Sequence, residues 1–193
     1  MNSKSKIKAI AIACLCWFSV LIPCVILVAT GTVTLSVSNF AVDSNDRVYI
    51  GTEREIAIYQ NNMVVGSIVP PTSRGYAFTV TEDDNILLST ASNVYLLDLE
   101  GNVLRKVPEI GTTTFNELQR NKREFISVNG DFYQMQGNLL RTRIIKNNSE
   151  NVFQISVLSV VVKYLLIFSA IGMYIFIVLW LITRIKRQDG FLS

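Results

Sequence analysis

The chain has 193 residues, half of them hydrophobic and only 17% charged, with a net charge of +3 and no histidine. That leaves room for one modest domain plus membrane segments, at a charge content below the roughly 25% usual for soluble proteins. It excludes histidine-based catalysis and histidine metal ligands. The basic sign is a matter of topology, so no nucleic-acid partner is expected.

Residues 1–8 form a basic head with Lys4, Lys6 and Lys8, and 9–30 form an apolar run in which Ala9–Ala29 carries no charge. The run is longer than a signal peptide's apolar core, and it reads as a first transmembrane helix. Ala29-Thr30-Gly31 still offers small residues where a peptidase could cut. All three cysteines, Cys14, Cys16 and Cys24, lie in this run, so the domain that follows holds together without disulfides.

Residues 31–155 carry 11 basic and 14 acidic side chains, a difference of −3. A second uncharged run, Tyr164–Thr183, lies within a second predicted helix over 156–183, and a tail over 184–193 follows with Arg184, Lys186 and Arg187. Lys/Arg excess marks the cytoplasmic side of a span. Both termini are therefore expected inside and the middle domain outside. The lack of disulfides fits a bacterial membrane protein.

The middle domain repeats itself. At a shift of 38 residues, Phe40–Pro70 and Phe78–Pro108 share seven identities in 31 positions: Phe40/Phe78, Val42/Val80, Asp46/Asp84, Thr52/Thr90, Val65/Val103, Val69/Val107 and Pro70/Pro108. Such a period marks a stacked supersecondary unit. Val, Ile and Tyr runs between Asn, Asp and Gly clusters predict four strands per repeat. In the first they are Asn39–Asp43, Val48–Thr52, Ile56–Gln60 and Val64–Val69, with Asn61-Asn62 as a two-residue hairpin turn. In the second they are Ala77–Thr81, Ile86–Thr90, Val94–Leu99 and Val103–Val107. A worn third copy aligns Asn129–Arg141 with Asn93–Arg105 and predicts strands Phe125–Val128, Asp131–Gln136 and Leu139–Lys146, after a weakly supported strand near Thr113–Leu118. The blades thus cover about 39–71, 77–109 and 113–146. Val152–Ser156 follows a turn at Asn147–Glu150.

Phe40–Thr52, with Ile56-Ala57-Ile58-Tyr59 and Asn61-Asn62, and then Phe78–Val107 with Asp98-Leu99-Glu100-Gly101-Asn102-Val103, resemble blades of NHL-type or related bacterial β-propellers. The resemblance covers about 110 residues. It departs from the pattern where Asp46 and Asp84 replace the usual glycine after the Asp turn, and in offering about three blades against a usual four to eight. It implies a membrane protein with two transmembrane helices flanking an all-β, propeller-like domain of antiparallel four-stranded repeats. Val48-Tyr49-Ile50 and Ile86-Leu87-Leu88 are apolar at consecutive positions, so both sheet faces want cover. Either an open array is capped by loops or the membrane surface, or two copies close a six-bladed ring about a two-fold axis.

Chemistry is sparsely signalled. Asp43, Asn45 and Asp46, then Glu82, Asp83 and Asp84, recur at equivalent turns, but a Ca²⁺ site needs six to eight convergent oxygens, and solvated turn residues with ordinary pKa values are the favoured reading. No nucleophile has a candidate base. Lactonase-type propellers hold a metal on side chains around a central channel, and no residue here takes that role, so no cofactor, metal or catalytic residue is expected. A degenerate lactonase-like hydrolase stands as one alternative, and an accessory subunit of a transport or export complex as another. The basic group Arg120, Lys122, Arg123, Arg141, Arg143 and Lys146 could meet anionic lipid headgroups or a partner's acidic face. Lys163, two turns inside the second helix, either snorkels to the headgroups or meets an acid on another membrane protein. The expected function is a non-catalytic, membrane-anchored module for binding or scaffolding, with the bilayer, a second copy or another membrane protein as partners.

Overall fold

The computed structural model describes residues 3–72, 75–90, 92–108, 113–120, 123–137 and 141–189. The chain forms two compact units, one of Met1–Val33 with Val157–Ser193 and the other of Thr34–Ser156.

The first unit is helical. Helix α1 runs over Ser3–Ala29 with Pro23 inside it, and helix α3 over Val157–Asp189. Trp17 Nε1 donates to Ser169 Oγ where the two helices pack. The expectation of two transmembrane helices flanking the β domain is overturned. Among the described residues one helix is long and apolar enough to cross a membrane, Val157–Ile182, at mean hydropathy 2.7. Among the described residues the apolar stretch of α1 is the shorter Leu15–Ala29.

The second unit consists mainly of three antiparallel four-stranded meanders. The first is β1 (Phe40–Val42), β2 (Val48–Gly51), β3 (Ile56–Gln60) and β4 (Met63–Ile68); the second is β5 (Tyr76–Val80), β6 (Ile86–Thr90), β7 (Asn93–Leu97) and β8 (Val103–Pro108). Helix α2 (Thr113–Arg120) follows, and then a third sheet of β9 (Glu124–Ile126), β10 (Phe132–Gly137), β11 (Thr142–Lys146) and β12 (Glu150–Gln154). The third sheet therefore occupies 124–154 and not 113–146. The weak strand near Thr113–Leu118 is a helix, and Val152 belongs to the sheet's fourth strand.

The first repeat is the middle layer. Its Ala41, Tyr49, Ile56, Ile58 and Ile68 form one core with Tyr76, Phe78, Val80, Ile86, Leu88, Tyr95 and Leu97 of the second sheet. Its other face, with Phe40, Val42, Val48 and Ile50, forms a second core with Tyr133, Ile144 and Val152 of the third. Burial on both faces explains the consecutive apolar run Val48-Tyr49-Ile50, whose residues are at most 2% exposed. Gly51 sits where the first two sheets approach, since a Cβ there would lie 2.9 Å from Phe78 Cε1.

The same face of each repeat points the same way along the stack. Phe40 and Val42 pack towards the third sheet, and their equivalents Phe78 and Val80 pack towards the first. In the third sheet the pairing of Ile126 with Phe132 matches that of Val42 with Val48, which puts Glu124 and exposed Ile126 at the positions of Phe40 and Val42. That outer face carries a polar ladder beside Ile126 and Phe132: Gln134 Nε2 donates to Glu124 Oε1 at 2.9 Å, Gln136 Nε2 to Gln134 Oε1 at 2.6 Å, and Arg143 to Gln136 Oε1 at 2.8 Å. At the other end α2 packs over β5 and β6, on the sheet that holds fully buried Ala77 and Ser89. One end of the array carries a helix and the other a hydrogen-bonded polar surface.

Candidate functional site

The acidic turns share one frame. Asp43 N donates to Arg47 O and Asp46 N to Asp43 O; Thr81–Asn85, Asp98–Asn102 and Ser127–Asp131 repeat both bonds. The fourth residue of each is left-handed: Asp46 at φ 59°, Asp84 at 54°, Gly101 at 91° and Gly130 at 83°. Asp46 and Asp84 thus occupy the backbone position that glycine fills in the other two turns, and Asp tolerates it better than most residues.

Three of the turn carboxylates, Asp43, Asp46 and Asp84, are bonded within the protein, whereas Glu82 and Asp83 are exposed. Asp43 has a side chain 0% exposed. It accepts from Asn45 N and Arg47 N at 2.9 Å each, Arg47 Nε at 2.6 Å and Tyr49 OH at 3.1 Å. Asp84 accepts from Ser44 N at 3.1 Å and Ser44 Oγ at 2.5 Å, tying the second sheet's turn to the first's. Asp46 Oδ2 accepts from Asn129 Nδ2 at 2.7 Å, tying the first to the third. The expectation of ordinary pKa values is corrected at Asp84. Hydrogen bonds from Ser44 hold the Asp84 carboxyl below the usual range, and those from Asn102 do so for Asp98. Asp131 is lowered chiefly by its bond with Lys146. Among the described residues no group of three acids or cysteines is placed to hold a metal ion.

Beside this turn network a cleft of about 240 Å³ opens between the first and third sheets. Val48, Tyr59, Tyr133 and Val152 supply its apolar and aromatic lining, and Asp46, Asn62, Lys146 and Glu150 are among its polar residues. Its mouth is bordered by two similar hairpins, with Asn61 and Asn62 at φ 50° and 64° and Asn147 and Asn148 at 49° and 61°. Paired positive φ values are the type I′ geometry that suits a twisted hairpin. Lys146 Nζ lies 2.5 Å from Asp131 Oδ2 and 5.4 Å from the centroid of the Tyr133 ring. The ion pair with Asp131 and the Tyr133 hydroxyl raise the lysine's pKa. Asp46 Oδ1 is closed to solvent and has no hydrogen-bond partner among the described residues.

The basic residues do not make one surface. Arg143 pairs with Gln136 on the outer face of the third sheet, whereas Lys146 pairs with Tyr133 on the face towards the first. Arg123 and Arg141 are exposed next to β9 and β11, Arg120 ends α2, and Lys122 lies outside the described residues. Lys163, on α3, is only 8% exposed.

The outer strands β4 and β8 were predicted as ordinary closing strands, yet they are the most exposed of the sheets. Every residue of β8 is exposed, and Met63, Val64 and Val65 of β4 are 53–66% exposed. Apolar sequence on the fourth strand of a blade carries no sign of whether a neighbour covers it.

No family model matches the chain, and no curated protein does. Among solved structures it is similar to a protein of unknown function from Bacteroides caccae, at 14% identity and a TM-score of 0.33, over 63% of this chain. The chain spans 46% of the length of that protein.

Proposed function

We propose that this chain is a membrane-held, non-catalytic binding or scaffolding module, whose β domain is a short propeller-like array related to NHL-type blades. The observation that carries the reading is the pair of exposed outer strands. β4 presents Met63, Val64 and Val65, and β8 presents Val103, Leu104 and Val107, all at least 41% exposed. Each is the last strand of its sheet, so it also offers unpaired backbone groups, which are a template for another chain. Arg105 and Lys106 interrupt the apolar pattern of β8, while β4 has no charge. Exposed apolar strand edges of this kind suit a protein partner.

The membrane attachment is α3, with the β domain outside the cytoplasm and the basic tail within it, as Arg184, Lys186 and Arg187 favour. A single copy with a helix at one end and a polar face at the other replaces the six-bladed ring, because Glu124 and the glutamine ladder would lie in the ring's interface. A subunit of a transport or export complex is one form that such a scaffold takes. The carboxylates already bonded to protein donors weigh against the hydrolase reading.

Photo-crosslinking amino acids at Val64 and Val103, in the full chain in its native membrane, test the proposal. A discrete heavier adduct from either site, absent when the probe is at buried Ile50, is the expected result. Uncrosslinked chain alone from both sites refutes it.

A further inference from the structure

The cleft between the first and third sheets carries more charge-acceptor capacity than the protein itself uses. Asp46 has one oxygen fixed by Asn129 at 2.7 Å and the other buried without a donor among the described residues. A buried acceptor left unpaired costs on the order of 1–3 kcal/mol, and the residue bears it at a positive φ of 59°. Across the cleft, Glu150 Oε1 receives only a long 3.4 Å bond from Asn62 Nδ2. The cation lining the cleft, Lys146, is already held by Asp131 at 2.5 Å. The cleft therefore has two carboxylates in excess, next to a lining of Tyr59, Tyr133, Val48 and Val152.

We propose that this cleft binds a primary alkylammonium group, with the N–H donors directed to Asp46 and Glu150 and the alkyl stem laid against Tyr59. Three features select this class. The acceptors require a ligand that donates hydrogen bonds, and their uncompensated charge favours a cation. The half-buried Tyr59 ring gives an alkyl stem an apolar face at the cleft and adds attraction between cation and ring. At about 240 Å³ the cleft is smaller than the roughly 300 Å³ at which drug-sized sites begin, so it suits a fragment-sized ligand. Because Asp46 Oδ1 lies beneath the surface, binding includes a small rotation of its carboxylate, with Asn129 following through the Oδ2 bond. The site is separate from the exposed β4 and β8 strands, so failure of crosslinking at Val64 and Val103 leaves it standing.

The test uses the full chain in detergent micelles at 150 mM salt, with ¹³C-labelled tyrosine rings as reporters, assigned through Tyr59→Phe and Tyr133→Phe. The probes are n-butylammonium, the neutral isostere n-butanol, and tetramethylammonium, which is cationic but has no N–H. Capped lysine amide is a fourth probe; its binding beside butylammonium supports the proposal with a peptide side chain as source, and butylammonium binding alone supports it with a free amine. Saturable shifts of Tyr59 and Tyr133 with butylammonium are expected, with butanol and tetramethylammonium at least tenfold weaker. Asp46→Asn should weaken binding at least tenfold. Glu150→Gln, a surface change that leaves the turn network in place, should weaken it several-fold even if Asp46→Asn fails to fold. Glu53→Gln should not change it. No saturable butylammonium shift, equal affinity for butanol or tetramethylammonium, or wild-type affinity in Glu150→Gln overturns the proposal.

Discussion

The Asp43 carboxylate is the sharpest place to test whether turn chemistry, and not only apolar burial, holds the array together. Asp43→Ala removes the acceptor for two backbone N–H groups, the Arg47 guanidinium and the Tyr49 hydroxyl. Tyr49 is 0% exposed in the core between the first two sheets, so its hydroxyl has no solvent to turn to. Breaking a buried charged partner costs about 3–5 kcal/mol, and the 29% exposure of the Arg47 side chain places the expectation near the lower end, about 3 kcal/mol. Asp43→Asn separates the contributions. Its carboxamide oxygen can still accept from Asn45 N and Arg47 N, while its amide nitrogen, a donor, replaces the acceptor of the Arg47 Nε and Tyr49 bonds, so the cost should be about 2 kcal/mol by the usual worth of such bonds. Tyr49→Phe should cost about 1 kcal/mol alone and measurably less in the Asp43→Asn background, because the two groups are coupled. Urea unfolding of the full chain in micelles, followed by near-ultraviolet tyrosine dichroism, reads all four. An Asp43→Ala variant within 0.5 kcal/mol of wild type would refute the reasoning, as would equal effects of Ala and Asn.

Gly51→Ala should destabilise by about 1–3 kcal/mol through overpacking, because its Cβ would meet Ser38 Oγ and, at 2.9 Å, the Phe78 ring; an unchanged urea midpoint would show that the first two sheets can separate freely. Asn62→Gly gives the Asn-Gly pair preferred in type I′ turns and should raise the midpoint, by about 0.5–1 kcal/mol, with a fall in stability as the contrary result. Stability should drop in acid. The lowered pKa values of Asp84, Asp98 and Asp131 contribute stability that is present above the unfolded value of 3.8 and lost as pH falls through the folded ones; an equal urea midpoint at pH 7 and pH 2.5 would contradict this. The raised pKa of Lys146 acts in the opposite sense, contributing fully below 10.5 and fading as pH rises above it, and Lys146→Met should remove that alkaline component.

Much of the first repeat was legible because each of its local signals has one physical meaning. Thr52 and Thr90 recur because each hydroxyl bonds the backbone three residues on, to Glu55 O and Asn93 O, and closes the same turn. Asp46 and Asp84 recur at the same left-handed position. The last three identities mean less. Ile56 pairs with Ile68 and Val94 with Val107, so the equivalent of Val107 is Ile68 and not Val69. The two-residue Asn61-Asn62 turn is replaced by the longer Asp98–Asn102 turn, and the match at Val65/Val103, Val69/Val107 and Pro70/Pro108 is out of structural register by one residue. A one-residue slip in a strand exchanges its two faces, but β4 and β8 are largely exposed, so burial leaves no pattern in the sequence that would expose the error.

The third repeat was misread for a related reason. The five-residue turn with a left-handed fourth position closes the first hairpin of each repeat, at Asp43–Arg47, Thr81–Asn85 and Ser127–Asp131, and it also closes the last hairpin of the second repeat, at Asp98–Asn102. Aligning Asn129 with Asn93 brought Gly137-Asn138 onto the Gly101-Asn102 turn, whereas the hydrogen bonds place Ser127–Asp131 opposite Thr81–Asn85. A turn signal alone therefore identifies a hairpin but not its rank within the blade. Rank is decided by which face of the strand is buried, and on the third sheet that pattern changes where the array ends: Glu124 and Gln134 stand at the positions of Phe40 and Ile50. The residues that made the third copy look worn are the ones that stop the stack. A repeat whose outer face had kept Phe and Ile at those positions would have invited another sheet, so the same substitutions that hid the third copy from sequence comparison account for an array that can end after three.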